Sequence, residues 1–355
     1  MPHVRISHRW VGDGEPTYFV ADIAANHDGD LERAKRLIRL AKEAGADAAK
    51  FQNFRAPEIV SRFGFKALGG QLAHQEVWNK PVYQIYEEAS LRWEWTKELH
   101  SECQRVGVDY FSAPYDFGAV DMLDPFVEVF KIGSGDISWH DLLEKVARKG
   151  KPVMLATGAS TSDEVQEAVA VIQAINPQLV LMQCNTNYTG NSENFRHIQL
   201  NVLRTYRAMF PEVVLGLSDH TPGHATVLGA VALGARVVEK HFTDDPRREG
   251  PDHGFSMDPA SWNEMVDRTR ELEAALGDGA KKIEANEIAS VIVQRRCLRS
   301  ARDLKPGTVL TRNLLHVLRP APEGSIPPWD LPKVVGRRVR LPLKEGQHLT
   351  WSHLE

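Results

Sequence analysis

His220 and His241 stand 21 residues apart, each at the end of a short β-rich stretch, around VVLGL (213–217) and VVEKH (237–241). One strand–helix unit is about that long, so the two imidazoles become neighbours on adjacent strands. Asp22 ends a third such stretch, TYFVADI (17–23). In a closed barrel the first strand lies beside the last, and Asp22 joins the pair. Two imidazoles and a carboxylate with open positions suit a divalent cation; the alternative is that each histidine caps its strand. Period-two alternation puts Val237, Glu239 and His241 on one face and turns Lys240 away. Glu239 is then a candidate partner for an imidazole or one half of an internal ion pair. Lys50 and Gln52 share a face, as do Val129 and Lys131. A lysine at a strand end is an anion clamp, a Schiff-base nucleophile or a structural ion pair. The GSG at 133–135, beside Lys131, favours a phosphate or carboxylate, because backbone N–H groups can approach an oxyanion there. A metal next to two cations argues against a Schiff base, since the metal already supplies the electrophile.

The elements that must position these groups recur along the chain. The β-rich runs are 17–23, 48–52, 109–113, 129–133, 152–157, 179–184, 213–217 and 237–241. Helical segments follow them; in 30–45, Leu31, Ala34, Leu37, Ile38 and Ala41 recur at helical spacing. The strands are continuous apolar runs, as in a parallel sheet covered by helices. Eight strand–helix units predict an α/β fold, a (β/α)8 TIM barrel, with a doubly wound open sheet as runner-up. The dinucleotide signature of the open sheet is missing, because GSGDIS (133–138) lacks the third glycine. Barrel chemistry sits at the C-terminal strand ends, which here carry Asp22, Lys50, Gln52, Ser112, Lys131, Thr157, Cys184, Asn185, Ser218, Asp219, His220 and Glu239 to His241.

Composition narrows the class further. The 355 residues are 42% hydrophobic and 25% charged, which excludes a disordered chain or a coiled coil. A net charge of −4 leaves no basic field for nucleic acid or an anionic membrane. The three cysteines, Cys103, Cys184 and Cys297, are too scattered for a disulfide framework or a zinc site. With no signal-like start and no apolar run of membrane-spanning length, the expectation is a soluble cytoplasmic protein.

Two segments depart from the barrel rhythm. Residues 53–90 are too long for a plain loop and carry Phe63, Phe65, Trp78, Tyr83 and Tyr86, as a lid would. Past GDGAKKIEANE (277–287), LKPGTVLT (304–311) and LKEGQHLT (343–350) echo each other, predicting a small pseudo-symmetric β-rich domain. The expected division is a barrel over 1–280, a linker over 281–287 and the β-rich domain over 288–355.

ADIAANHDGD (21–30), AKFQ (49–52), FKIGSGD (130–136), LATG (155–158), GLSDHT (216–221), EKHF (239–242) and GPDH (250–253), in this order, resemble the sialic acid synthase family. QRRCLRSARDLKPGTVLT (294–311), LRP (318–320) and VVGRRV (334–339) are similar to its C-terminal antifreeze-like (SAF) domain. The resemblance implies condensation of phosphoenolpyruvate with an N-acetylated amino sugar and water, giving a nine-carbon 2-keto-3-deoxy acid and phosphate. It implies Mn2+ or Mg2+ on His220 and His241, and phosphoenolpyruvate on Lys50, Lys131, Ser134 and Ser218. Gln52, Asp136, Tyr188, Glu239 and Asp252 match substrate-binding positions. Arg319 matches an arginine that enters the partner's barrel in a homodimer. Asp22 replaces the family's usual Glu, and CNTNYT (184–189) replaces CTxxYP. Asp22 is the candidate for ordering or deprotonating water. The rival expectations are a divalent-metal pyruvate aldolase and a non-catalytic carbohydrate-binding protein.

Overall fold

A computed structural model describes residues 2–69 and 71–355. The chain forms two compact units, one ending at Gly277 and one spanning Asp278–Glu355.

The first unit opens with an antiparallel hairpin, β1 (His3–Ile6) and β2 (Arg9–Gly12). Eight strands follow: β3 (Tyr18–Asp22), β4 (Ala48–Asn53), β5 (Asp109–Pro114), β6 (Phe130–Ile132), β7 (Val153–Ala156), β8 (Leu179–Cys184), β9 (Val214–Asp219) and β10 (Ala235–His241). They pair in parallel, each with the next, and β10 closes on β3 to complete the barrel. The predicted (β/α)8 barrel is therefore the fold. Helices cover the outside. Leu31–Glu43 starts at Asp30, whose carboxylate accepts from the Glu32 and Arg33 N–H groups, and it buries Ala34, Leu37, Ile38 and Ala41.

Alternation divides each strand between two cores. Phe19, Ala21, Ile23, Ala49 and Phe51 face the helices. Tyr18, Val20, Ala48, Phe111, Val129, Met154, Val180, Met182, Val214 and Val237 fill the barrel's interior and join Val4, Ile6 and Val11 of the hairpin. The hairpin is thus the floor of the barrel, a role its four-residue strands did not announce. Above this apolar floor the inward positions turn polar. There sit Asp22, Lys50, Lys131, Ser218, Glu239 and His241, all buried.

The insertion 53–90 folds as helices Ala56–Ile59, Arg62–Ala67 and Val82–Ala89 with a 3-10 turn at Ala73–Val77. Ala56, Val60 and Val82 make its own small core with Phe65, Trp78, Tyr83 and Tyr86. Phe63 departs from the expected packing and is 81% exposed. Phe54 ties the insertion to the barrel mouth, between Tyr86 (ring centroids 5.4 Å) and Tyr115 (5.8 Å).

In the second unit β11 (Cys297–Ser300) pairs with β12 (Leu315–Leu318). The two echoed segments meet: the Leu304 and Leu343 backbones exchange hydrogen bonds of 2.8 and 3.0 Å. Leu310 and Leu349, also equivalent in the echo, are both fully buried. Among the described residues no helix is long and apolar enough to cross a membrane.

Candidate functional site

The register of the barrel sets one rung at its mouth. Asp22 is the paired residue of His241 on one side and of Lys50 on the other. Asp22 Oδ2 accepts from Lys50 Nζ at 2.6 Å and from Gln52 Nε2 at 3.1 Å, and lies 3.5 Å from His241 Nε2. Glu239, one position deeper on β10, receives Lys131 Nζ at 3.1 Å and Ser218 Oγ at 3.3 Å, with Lys50 Nζ at 3.6 Å. Two lysines and two carboxylates therefore share a buried chamber. Burial alone would raise both carboxyls. Lys131 and Lys50 together overcome it at Glu239 and hold that group at about 2. Asp22 faces one close lysine and the negative Glu239, so burial prevails and its carboxyl is raised. Of the two, Asp22 is the one that takes a proton first.

His220 and His241 stand side by side, ring centroids 5.4 Å apart. Burial draws both down to about 3, helped by His241 next to His220 and by Lys50 next to His241. Both are neutral imidazoles. His220 Nδ1 lies 3.1 Å from the Asn185 carbonyl, a bond that leaves Nε2 with its lone pair. His241 Nδ1 is buried without a hydrogen-bond partner. Neutral rings with open nitrogens fit a divalent ion. Among the described residues no three His, Cys, Asp or Glu side chains converge as a ready ligand set, so this pair is what the chain itself offers. Asp22 is engaged by Lys50 and Gln52 instead.

Not every polar strand end faces this chamber. Ser112 turns outward to bond Asn53, and Thr157 turns outward to the Met182 carbonyl and Tyr206. Asp219 and Lys240 pair behind the wall, with Thr221 and Thr226 around them. Cys184 faces inward and is buried, and burial raises its thiol.

A second cluster gathers where three loops meet. Ser134 Oγ accepts from the Gly158 N–H at 2.9 Å. A Cβ on Gly158 would lie 1.9 Å from Thr186 Oγ1 and 2.9 Å from Ser134 Oγ, so only glycine lets these loops close. Thr186 Oγ1 is buried and has no partner. Thr186 and Gly158 escaped sequence reasoning; the signal for Gly158 was LATG at a strand end. Asp136 follows in the turn Ser134–Asp136, and burial lifts its carboxyl to about 6.

Tyr188 roofs the histidine pair, 4.3 Å from the His220 ring and 6.2 Å from that of His241, and Phe255 closes the other side, 4.8 Å from His241. His74 of the insertion reaches Tyr188 at 4.8 Å, a contact the sequence did not predict. Asp252 Oδ2 accepts from the Ala25 N–H at 3.0 Å, and burial raises this carboxyl to about 6. Beyond Tyr188 and Phe255 lies a cavity of about 960 Å3, walled by the insertion and by the loop after β10. Arg319 lies in the second unit just past β12, exposed and without an ion pair among the described residues.

A profile described as the NeuB family matches residues 37–281, and one described as the SAF domain matches 295–355. The chain is 34% identical to human N-acetylneuraminate-9-phosphate synthase, over 95% of this chain and 92% of that protein. It is 33% identical to the N,N'-diacetyllegionaminic acid synthase of Legionella pneumophila, over 97% and 96%. Among solved structures, the N-acetylneuraminic acid synthetase of Leptospira borgpetersenii superposes with a TM-score of 0.71 at 29% identity, covering 81% of this chain and 95% of that one.

Proposed function

Because the chain belongs to the NeuB family, whose named relatives are sialic, legionaminic and pseudaminic acid synthases, we propose that it joins phosphoenolpyruvate to an N-acetylated amino sugar. Water is the third reactant. The products are a nine-carbon 2-keto-3-deoxy acid and inorganic phosphate. The observation that carries this reading is the paired charge at the barrel mouth: Lys50 and Lys131, held by Asp22 and Glu239 below two neutral imidazoles. A multiply charged anion can take over those ammonium groups without an exposed basic patch.

In this reading Lys50 and Lys131 bind the carboxylate and phosphate of phosphoenolpyruvate. Ser134, Ser218, the Gly158 N–H and the unpartnered Thr186 hydroxyl complete the oxyanion cradle. Tyr188, Gln52, Asp136 and Asp252 orient the open-chain sugar. The enol carbon attacks the aldehyde carbon. Water adds to the carbon bearing phosphate, Asp22 takes its proton, and phosphate leaves with C–O cleavage. His220 and His241 would hold Mn2+ or Mg2+, which when bound polarises a carbonyl oxygen. The protein acts as a homodimer in which Arg319 of one copy serves the barrel of the other; the support is the family resemblance around LRP (318–320).

The test is phosphate release from phosphoenolpyruvate with N-acetylmannosamine and the diacetamido hexoses leading to legionaminic and pseudaminic acids. Release with one of them, lost on chelation and restored by Mn2+, is expected. Turnover of pyruvate instead, or binding of sugar without turnover, refutes the condensation.

A further inference from the structure

The cavity above the histidine pair is lined by charges that bear on what the acceptor carries. Four carboxylates line it, those of Asp28, Glu76, Glu88 and Glu249, against two cations, Lys80 and Arg248. Both cations are already engaged: Lys80 Nζ lies 2.7 Å from Glu88, and Arg248 Nη2 lies 2.6 Å from Asp28. Glu76 and Glu249 have no cationic partner among the described residues. His74 adds no charge, because burial keeps its imidazole neutral by lowering it from the ordinary value. Trp78, Ile85 and Pro251 make the rest of the wall largely apolar.

We propose that the acceptor is an unphosphorylated N-acylated amino sugar and that a sugar phosphate ester is disfavoured. This rests on the condensation proposed above, which puts the aldehyde beside the histidines. The rest of the sugar chain then extends into the cavity that Glu76, Glu88 and Glu249 line. A phosphate monoester carries about −1.5 to −2 charges at neutral pH and is recognised by forked arginines or several free donors. Here it meets the unpaired Glu76 and Glu249; taking Lys80 strands Glu88, and taking Arg248 draws it from Asp28, which keeps Arg33 at 3.1 Å and His253 at 2.9 Å. Like-charge contact of this kind discriminates against the wrong partner. A neutral hydroxyl or methyl group in place of the phosphate meets no such penalty. Similarity alone does not choose, since the chain is 34% identical to a 9-phosphate synthase and 33% identical to a legionaminic acid synthase.

The experiment measures phosphate release from phosphoenolpyruvate with N-acetylmannosamine, its 6-phosphate and the diacetamido hexoses in parallel. The best unphosphorylated acceptor should exceed the ester in kcat/KM by roughly tenfold or more. Glu76→Gln/Glu88→Gln, which frees Lys80 and removes two charges, should narrow that ratio several-fold. A higher kcat/KM for the ester overturns this inference and leaves the condensation standing. A ratio unmoved by the double substitution overturns its electrostatic basis. No release with any acceptor refutes instead the function on which it rests.

Discussion

Asp22 holds three neighbours at once, Lys50, Gln52 and His241, and its carboxyl is raised by burial. A carboxyl that accepts a proton readily, next to a Lys50 ammonium that Asp22 and Glu239 keep charged against burial, is suited to taking the proton of an attacking water. Asp22→Asn keeps the shape and removes the base. We expect kcat to fall by a factor on the order of 10² or more, with Asp22→Glu retaining part of the activity. Steady-state phosphate release measures both; an Asn variant near wild type would make Asp22 a spacer between Lys50 and His241. The shared face of Glu239 and His241 was legible from alternation along VVEKH. The bond between Lys131 and Glu239 was not. It joins residues 108 apart in sequence and exists only once the barrel closes. Ser112 and Thr157 misled for a related reason: a polar residue at a strand end is visible in sequence, while the face it occupies depends on a register shifted by one residue.

At the level of elements, three loops meet at Gly158. Adding one methyl group there asks Thr186 and Ser134 to move, with Thr186 Oγ1 only 1.9 Å from the new Cβ. Gly158→Ala should raise KM for phosphoenolpyruvate about tenfold or more while the circular dichroism spectrum keeps its barrel form, because the loops give before the strands do. An unchanged KM would remove these loops from the binding site. A second test concerns His27 on the loop after β3, buried with its Nδ1 accepting from the Gly29 N–H at 3.0 Å. Burial lowers His27 to about 4 from its ordinary 6.5, so the unfolded chain binds the proton more tightly. The stability that this neutral ring contributes is whole above pH 6.5 and is lost as pH falls toward 4. The full shift is worth about 3 kcal/mol, at about 1.36 kcal/mol per pKa unit. Thermal melts from pH 7 to 4 should therefore show a shallower decline in His27→Asn than in wild type. Parallel declines would place the acid sensitivity elsewhere. All eight barrel strands were readable because each is a short apolar-rich stretch set between helical patterns, even where charged residues interrupt it, as in β4, β6 and β10. The insertion's helices were not, since two of the three run for only four and six residues, too short to show a period, and β1 and β2 were missed because each buries only two of its four residues.

For the whole molecule, two units and one exposed Arg319 make the proposed homodimer testable. Arg319→Ala and His220→Ala should each be inactive alone. Mixed under conditions that allow subunit exchange, they should regain activity up to about a quarter of wild type, since random exchange leaves one intact site in half of the dimers. Verified exchange with no recovery would mean that Arg319 works within its own chain or not at all. The barrel floor has a further consequence. The hairpin at residues 3–12 packs against β9 and β10, and beside it Arg207 pairs with Asp13 at 2.9 Å. Residues 3–12 leave the ribosome some two hundred residues ahead of the strands they seal. During synthesis Val4, Ile6 and Val11 have no lasting place to go until β10 emerges. The barrel then gains its floor and its last strand together, so the seal at its base closes only once β10 has emerged.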